Sequence, residues 1–284
     1  MKSARFLALA LLAGCAPRLF VKPPGDPAAG VLVRWWGHSC FSLTDSAGRT
    51  ILIDPFDDSV DYPAPTPRPD ALLVTHAHFD HANFPGAAPE PLLKPPTREP
   101  DTEDSNGPGR GSPRRPAPPR WPYAVVRTTG THTAAGVEVV GVPADHDDQG
   151  GRRHGFTAVY VWGMGGLRFA HLGDIGQTSL RPDQRAALAG VDVLFVPVGG
   201  KTTVDAAGAW ALIKEIAPRA VVPMHYGTAR VRFFEFEPIH VFLRDAPNVR
   251  WLDGDTFRVR RDDLTSDTAV YVPAPPGTVK KEAP

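Results

Sequence analysis

Only two cysteines, Cys15 and Cys40, occur among the 284 residues, so a framework of intramolecular disulfides is excluded as the basis of the fold. Neither sign of charge is in excess: 31 Lys and Arg stand against 31 Asp and Glu. No overall field therefore draws the chain to nucleic acid or to an anionic membrane surface. No apolar run approaches the roughly 20 residues that span a bilayer. The sequence has no G-x-S-x-G, and no acid–base partner recommends Cys40 as a nucleophile, which makes an acyl-enzyme route unattractive. A phosphate-cradling glycine loop is missing too, since GMGG at 163–166 lies between two strand-like runs and reads as a hairpin turn. What these absences leave is a small-molecule or lipid substrate and no nucleic acid. Composition is silent on oligomeric state.

What is present begins with MKSARFLALALLAGCAP, a basic start with Lys2 and Arg5, an apolar run from Phe6 to Ala13, and small residues. That is the layout of an export signal. Leu12-Ala13-Gly14-Cys15 resembles a bacterial lipobox, which implies cleavage after residue 14 and lipidation of Cys15. The expectation is an exported, lipid-anchored protein of the bacterial cell envelope, with a periplasmic or secreted form as the alternative. Residues 15–30, rich in proline and small side chains, suit a tether.

A folded domain is expected over 31–262. VLVRWW, CFSLT and RTILI follow one another closely and read as an antiparallel ladder. Between Pro85 and Arg120 the chain places 11 of its 32 prolines, and so few apolar residues cannot offset the ordering entropy. We expect a largely unstructured insertion there, whose Arg110, Arg114, Arg115 and Arg120 face solvent. After it, strand-like runs such as VEVVGV, LRFAHL, VDVLFVPV and RAVVPM alternate with helical stretches. VDAAGAWALIKEIAP carries Trp210, Ile213 and Ile216 at helical spacing before Pro218, and PDQRAALAG opens with Pro182. This alternation indicates an α/β sandwich, and residues 263–284 are expected to form a C-terminal tail.

The chemistry is concentrated in THAHFDHAN, residues 75–83, where three of the chain's ten histidines and an aspartate fall within six positions after the apolar run ALLV. Strand alternation points His76 and His78 the same way, and Asp80 and His81 lie just beyond. A lone histidine is usually structural. Four such side chains together make a nitrogen and oxygen shell suited to zinc, and also to manganese or iron.

THAHFDH resembles the H-x-H-x-D-H signature of the metallo-β-lactamase fold superfamily of metal-dependent hydrolases. Further matches are GVPADHDDQGG with His146, AHLGDIG with Asp174 and VVPMHYGT with His225, each just past a strand-like run. The phrases LGDIG, VPVGG and PMHYGT look most like the branch that includes the ascorbate-6-phosphate lactonase, with the N-acyl-phosphatidylethanolamine phospholipase D a more distant cousin. The resemblance implies a four-layer αββα sandwich holding two divalent metal ions. His76, His78 and His146 would hold one ion, Asp80, His81 and His225 the other, and Asp174 would bridge them. Asp54 in ILIDPF resembles a position that supports ligand geometry. His38 and His154 are candidates for support or substrate contact, although a structural role serves His38 at least as well and a surface position suits His154 better. His132, His171 and His240 read as structural, Asp147 and Asp148 as support or solvent-facing, and Thr202 and Thr203 as a helix cap.

Two ions sharing a water would lower its pKa towards neutrality. The expected activity is hydrolysis of an ester, lactone or phosphodiester by hydroxide so activated, with Asp80 orienting it as the catalytic residue. One alternative is a non-catalytic metal-binding envelope lipoprotein. The other, an iron oxidoreductase of the same fold, would need a flavin-binding partner domain that the sequence does not supply.

Overall fold

The computed structural model describes residues 22–83, 123–231 and 235–277. The expected export signal, Cys15 and the expected insertion over 85–120 lie outside these residues. The strands in chain order are β1 (Val31–Gly37), β2 (Cys40–Thr44), β3 (Thr50–Ile53), β4 (Ala71–Leu73), β5 (Ala124–Val126), β6 (Gly130–Ala134), β7 (Val137–Asp145), β8 (Phe156–Met164), β9 (Leu167–His171), β10 (Val193–Pro197), β11 (Ala220–Met224), β12 (Val249–Trp251), β13 (Thr256–Val259) and β14 (Ala269–Val272). The α-helices are α1 (Pro182–Leu188), α2 (Ala206–Ile216) and α3 (Ile239–Leu243).

Two sheets form. One has six strands in the order β13-β1-β2-β3-β4-β5, the other eight in the order β12-β14-β11-β10-β9-β8-β7-β6. Strand periodicity decides which side chains meet between them. Val31, Val33, Trp35, Phe41, Leu43, Ile51, Ile53, Ala71 and Leu73 of the first sheet join the main core with Val159, Phe169 and Phe195 of the second. Their neighbours Trp36, Cys40, Leu52 and Leu72 point the other way, into a smaller core with Phe56, Val60 and Tyr62. Helix α2 adds Ala209, Leu212 and Ile213 to the main core. The result is an α/β sandwich whose helical cover is uneven. Among the described residues, the smaller core is closed by coil and the short 3-10 turn Asp58–Val60 rather than by an α-helix.

The strands β9, β10, β11, β14 and β12 run parallel. β10 and β11 are buried at every residue, as parallel strands covered on both faces should be. β8 and β9 are joined through Gly165 and Gly166, both at positive φ, the conformation that a two-residue primed turn requires.

Two expectations about the chain ends are corrected. Residues 22–30 are not free tether: Lys22 Nζ donates to Gly48 O and pairs with Asp70 at 2.8 Å, and Arg49 Nη2 donates to Lys22 O. Of the expected tail, residues 264–277 are folded, because β14 sits between β11 and β12 with Val270 and Val272 buried. The run is short and follows a polar stretch, so it is inconspicuous in sequence; the unpaired edges of β11 and β12 recruit it.

Each buried valine of β14 stabilises the fold by about 1.5–3 kcal/mol, against a total of about 5–15 kcal/mol. A chain ending at residue 262 is therefore expected to lose cooperative thermal unfolding, followed by circular dichroism. Unfolding at the full chain's temperature would contradict this placement.

Candidate metal centre

β1, β3, β4, β7, β9 and β11 each deliver a polar residue just past their C-terminal ends: His38, Asp54, the 75–81 turn, His146, Asp174 and His225. β1 is antiparallel to β2 and β2 to β3, whereas β3 and β4 are parallel, so β1, β3 and β4 share one direction. The same reasoning through β8 gives β7, β9 and β11 a common direction. Residues scattered over almost two hundred positions thus leave the sandwich at one edge. His38, Asp54 and His225 have φ of 51°, 45° and 53°. Left-handed backbone at non-glycine residues costs about 1–3 kcal/mol each and gathers at functional sites.

At the middle lies the Asp174 carboxylate. Its Oδ2 is 3.2 Å from His225 Nε2, 3.3 Å from His81 Nε2, 3.4 Å from His146 Nε2 and 3.8 Å from His76 Nε2. Around it the donors group as His76, His78 and His146, as His76, His81 and Asp174, and as His38, Asp80, His81 and His225, with ligand atoms within 4.8 Å of one another in each group. The structure therefore brings together all of His76, His78, Asp80, His81, His146, Asp174 and His225. Strand alternation is not what aligns His76 and His78: β4 stops at Leu73, His76 lies in the bend that follows it, and His78 opens the turn closed by His81 N donating to His78 O.

Backbone and side-chain acceptors orient these rings. Asp54 Oδ1 accepts from Thr75 N, while its Oδ2 accepts from Thr75 Oγ1 at 2.7 Å and His81 Nδ1 at 2.9 Å, which aims His81 Nε2 at the centre. With its proton given to Asp54, Thr75 Oγ1 accepts from His76 Nδ1 at 3.0 Å. His146 Nδ1 donates to Thr202 O at 3.0 Å. Each arrangement leaves an Nε2 lone pair facing inward, the support that metal-bound histidines need. His38 Nε2 lies 3.0 Å from Asp80 Oδ2, and His38 O accepts from Trp35 Nε1 and from His225 N. Phe236 packs its ring 4.5 Å from that of His225.

Burial sets the charge states. It pushes the pKa values of His76, His78 and His146 down, and that of His38 to about 4 with help from His225. Neutral imidazole is the form that ligates a metal. Burial would raise Asp174 and Asp80, but His225 and His81 hold Asp174, and His81 and His38 hold Asp80, below the usual carboxylate range. His81 is driven up against its burial by Asp174 and Asp80.

The donor set fits metal ions. His81 Nε2, His146 Nε2 and Asp174 Oδ1 are buried without a hydrogen-bond partner, an expensive condition for polar atoms in a protein interior. Four imidazoles crowding one carboxylate oxygen cannot all hydrogen-bond to it. Divalent cations between them would satisfy every one of these atoms.

Other histidines serve elsewhere. His171 bonds Ser39 O and Gly173 N, shaping the turn before Asp174. His132 bonds Thr128 O, and His240 lies in α3. His154 stands near the centre, its ring 5.5 Å from that of His146. Thr202 and Thr203 do not cap α2; Asp205 does, accepting from Gly208 N at 2.8 Å. Sequence reading passed over Thr75, Thr202 O and Phe236. Only Thr75, a hydroxyl beside the first ligand, left a trace there. Gly176 carries a further demand, because a Cβ on it would stand 2.4 Å from Asp147 N and 2.7 Å from His146 C.

A two-sheet sandwich with imidazoles and carboxylates gathered at one edge defines a class of metal-dependent hydrolases. The comparisons agree. A model described as the β-lactamase superfamily domain matches residues 32–225, and the chain belongs to that superfamily. A UPF0173 metal-dependent hydrolase of Methanoculleus marisnigri is 36% identical over 201 residues, 68% of this chain and 80% of the relative. A UPF0173 protein of Pyrococcus furiosus is 34% identical over 209 residues, 68% of this chain and 82% of the relative. A metallo-β-lactamase superfamily structure from Thermotoga maritima superimposes with a TM-score of 0.62 at 25% identity, covering 86% of this chain and 98% of its own. The chain is a metal-dependent hydrolase.

Asp54→Ala removes the acceptor that orients His81, and loss of such support typically costs about 10–100-fold in metal affinity. Competition against a chromophoric chelator should show that loss. Unchanged affinity would mean that Asp54 serves the fold alone.

Proposed function

We propose that the chain hydrolyses an ester, lactone or phosphodiester with two divalent ions, zinc foremost and manganese or iron as alternatives. His76, His78 and His146 would hold one ion and Asp80, His81 and His225 the other, with Asp174 between them. The observation that carries this reading is the convergence of four imidazole Nε2 atoms on Asp174 Oδ2 within 3.8 Å. Bound divalent ions lower the pKa of water towards neutrality and offset negative charge growing on a carbonyl or phosphoryl group.

The chain's own residues supply the remainder. Asp80 is buried and kept ionised beside His81 and His38, so it offers a fixed acceptor that orients the attacking water. His38 holds that carboxylate through Nε2, and Trp35 and His225 N fix His38 through its carbonyl. Phe236, Trp35 and Tyr226 line the flank behind His38 and His225 with apolar surface, where electrostatic effects strengthen as water is excluded.

The leaning towards phosphate-bearing esters or lactones rests on the branch resemblance of LGDIG, VPVGG and PMHYGT. An envelope location, with Cys15 lipidated as the membrane anchor, belongs to the same proposal and makes a lipid or an extracytoplasmic metabolite a natural substrate.

Metal analysis of the purified chain should give close to two equivalents, as the two-ion reading requires, and less in a His76→Ala, His78→Ala double variant. Ester, lactone and phosphodiester probes should be turned over by metal-replete protein, and Asp80→Ala should lower kcat by about 10²-fold or more, the usual scale for a positioned acid–base group. A protein that binds no transition metal, or an Asp80→Ala variant with full turnover, would contradict the mechanism. Labelled fatty acid should enter the native chain and not Cys15→Ser; label retained by the variant would refute the anchor.

A further inference from the structure

Beside the His146 flank of the centre lies a cavity of about 300 Å3. Both its walls are tied to the metal centre. One is the 200–205 loop, whose Thr202 O accepts from His146 Nδ1. The other is the 147–154 loop, gathered by the residue after His146: Asp147 Oδ1 accepts from Gln149 N and Gly151 N, and Oδ2 from Arg153 N and His154 N, all at 2.8 Å. Four backbone donors thus fix its carboxylate inside the loop.

The charges facing this cavity are unequal in availability. Asp147 is engaged by those four N–H groups and Asp205 by the cap of α2. Arg153 and Lys201 are exposed at the mouth, and among the described residues neither forms an ion pair. His154 Nε2 is buried without a hydrogen-bond partner, and its ring stands 5.5 Å from that of His146. The one acid not so engaged is Asp148, which is exposed. Two cations and an unsatisfied imidazole nitrogen thus border a hollow next to the reacting centre; of its three carboxylates, those of Asp147 and Asp205 are turned to backbone N–H groups and only that of Asp148 makes no such contact. In its Nε2–H form His154 is a donor, and charge-assisted hydrogen bonds from Lys and Arg to anionic oxygens are among the stronger polar contacts.

We propose that this cavity is a recognition subsite for an anionic oxygen group, phosphate or carboxylate, carried by the substrate beside the bond that is cut, with Arg153, His154 and Lys201 as its specificity-determining residues. The proposal rests on the hydrolytic reading above and narrows it to anionic substrates. Because Arg153 and Lys201 are exposed, salt should weaken the recognition.

The test uses the metal-loaded full chain and three aryl ester probes that differ only in bearing a phosphate, a carboxylate or a neutral hydroxyl. The anionic probes should show kcat/KM about tenfold or more above the neutral one, through KM and more strongly at low salt, a ratio set by one charge-assisted contact. The phosphate and carboxylate arms tell which anion is preferred. In an Arg153→Ala, Lys201→Ala double variant the anionic-to-neutral ratio should fall towards one, and Lys201→Arg should retain it. Equal ratios in native and double-variant chains would overturn the proposal. Inorganic phosphate binding, followed by calorimetry and by the His154 ring resonances, supplies a readout independent of turnover. The double variant should bind at least about tenfold more weakly, and equal affinity would overturn the subsite. If no probe is turned over, the hydrolytic reading of these ester substrates fails by itself, and the phosphate titration still decides the subsite.

Discussion

The Asp174 carboxylate is the constraint on which this structure depends. It is buried and surrounded by four imidazoles from three separate segments. A lone buried charge of this kind would be strongly destabilising. The fold accepts it because positive charge is to be supplied around it by the cations that the unsatisfied nitrogens call for. Function and stability are therefore opposed at this edge of the sandwich: the polar atoms that make the centre reactive are those that the interior alone leaves unsatisfied.

The rest of the architecture can be understood as support for that arrangement. Strands running in a common direction bring their ends to one edge, and left-handed residues at His38, Asp54 and His225 turn the chain sharply where it emerges. Below the edge, an alternating apolar pattern locks the two sheets face to face, so the ligand-bearing turns spring from a rigid base. Above it, acceptors of modest appearance (Asp54, Thr75, the Thr202 carbonyl) fix which ring nitrogen faces inward. The close approach of Gly176 to His146 and Asp147 lets two ligand turns pack backbone to backbone.

Much of the centre was legible in sequence for a physical reason. A largely apolar strand followed within a residue or two by His or Asp is a pattern that both folds and presents a ligand, and it occurs at ALLVTHAH, VEVVGVPADH and RAVVPMH. The remainder was hidden because it depends on partners distant in sequence. His38 looked as much structural as functional until Asp80, 42 residues away, came within 3.0 Å. A carbonyl such as Thr202 O has no signature at all. Asp147 gave no hint that it holds a whole loop. The polar surroundings of β14 disguised a strand that only the open edges of its neighbours explain, and the packing of residues 22–30 depends on Asp70 and Gly48, remote in the chain.

The central claim is that the side chains converging on Asp174 hold a pair of divalent ions. Anomalous scattering from crystals of metal-replete protein, collected on both sides of the metal absorption edge, addresses it most directly. The account predicts two peaks flanking Asp174, one among His76, His78 and His146 and the other among Asp80, His81 and His225. A map with no peak within coordination distance of Asp174 would contradict it.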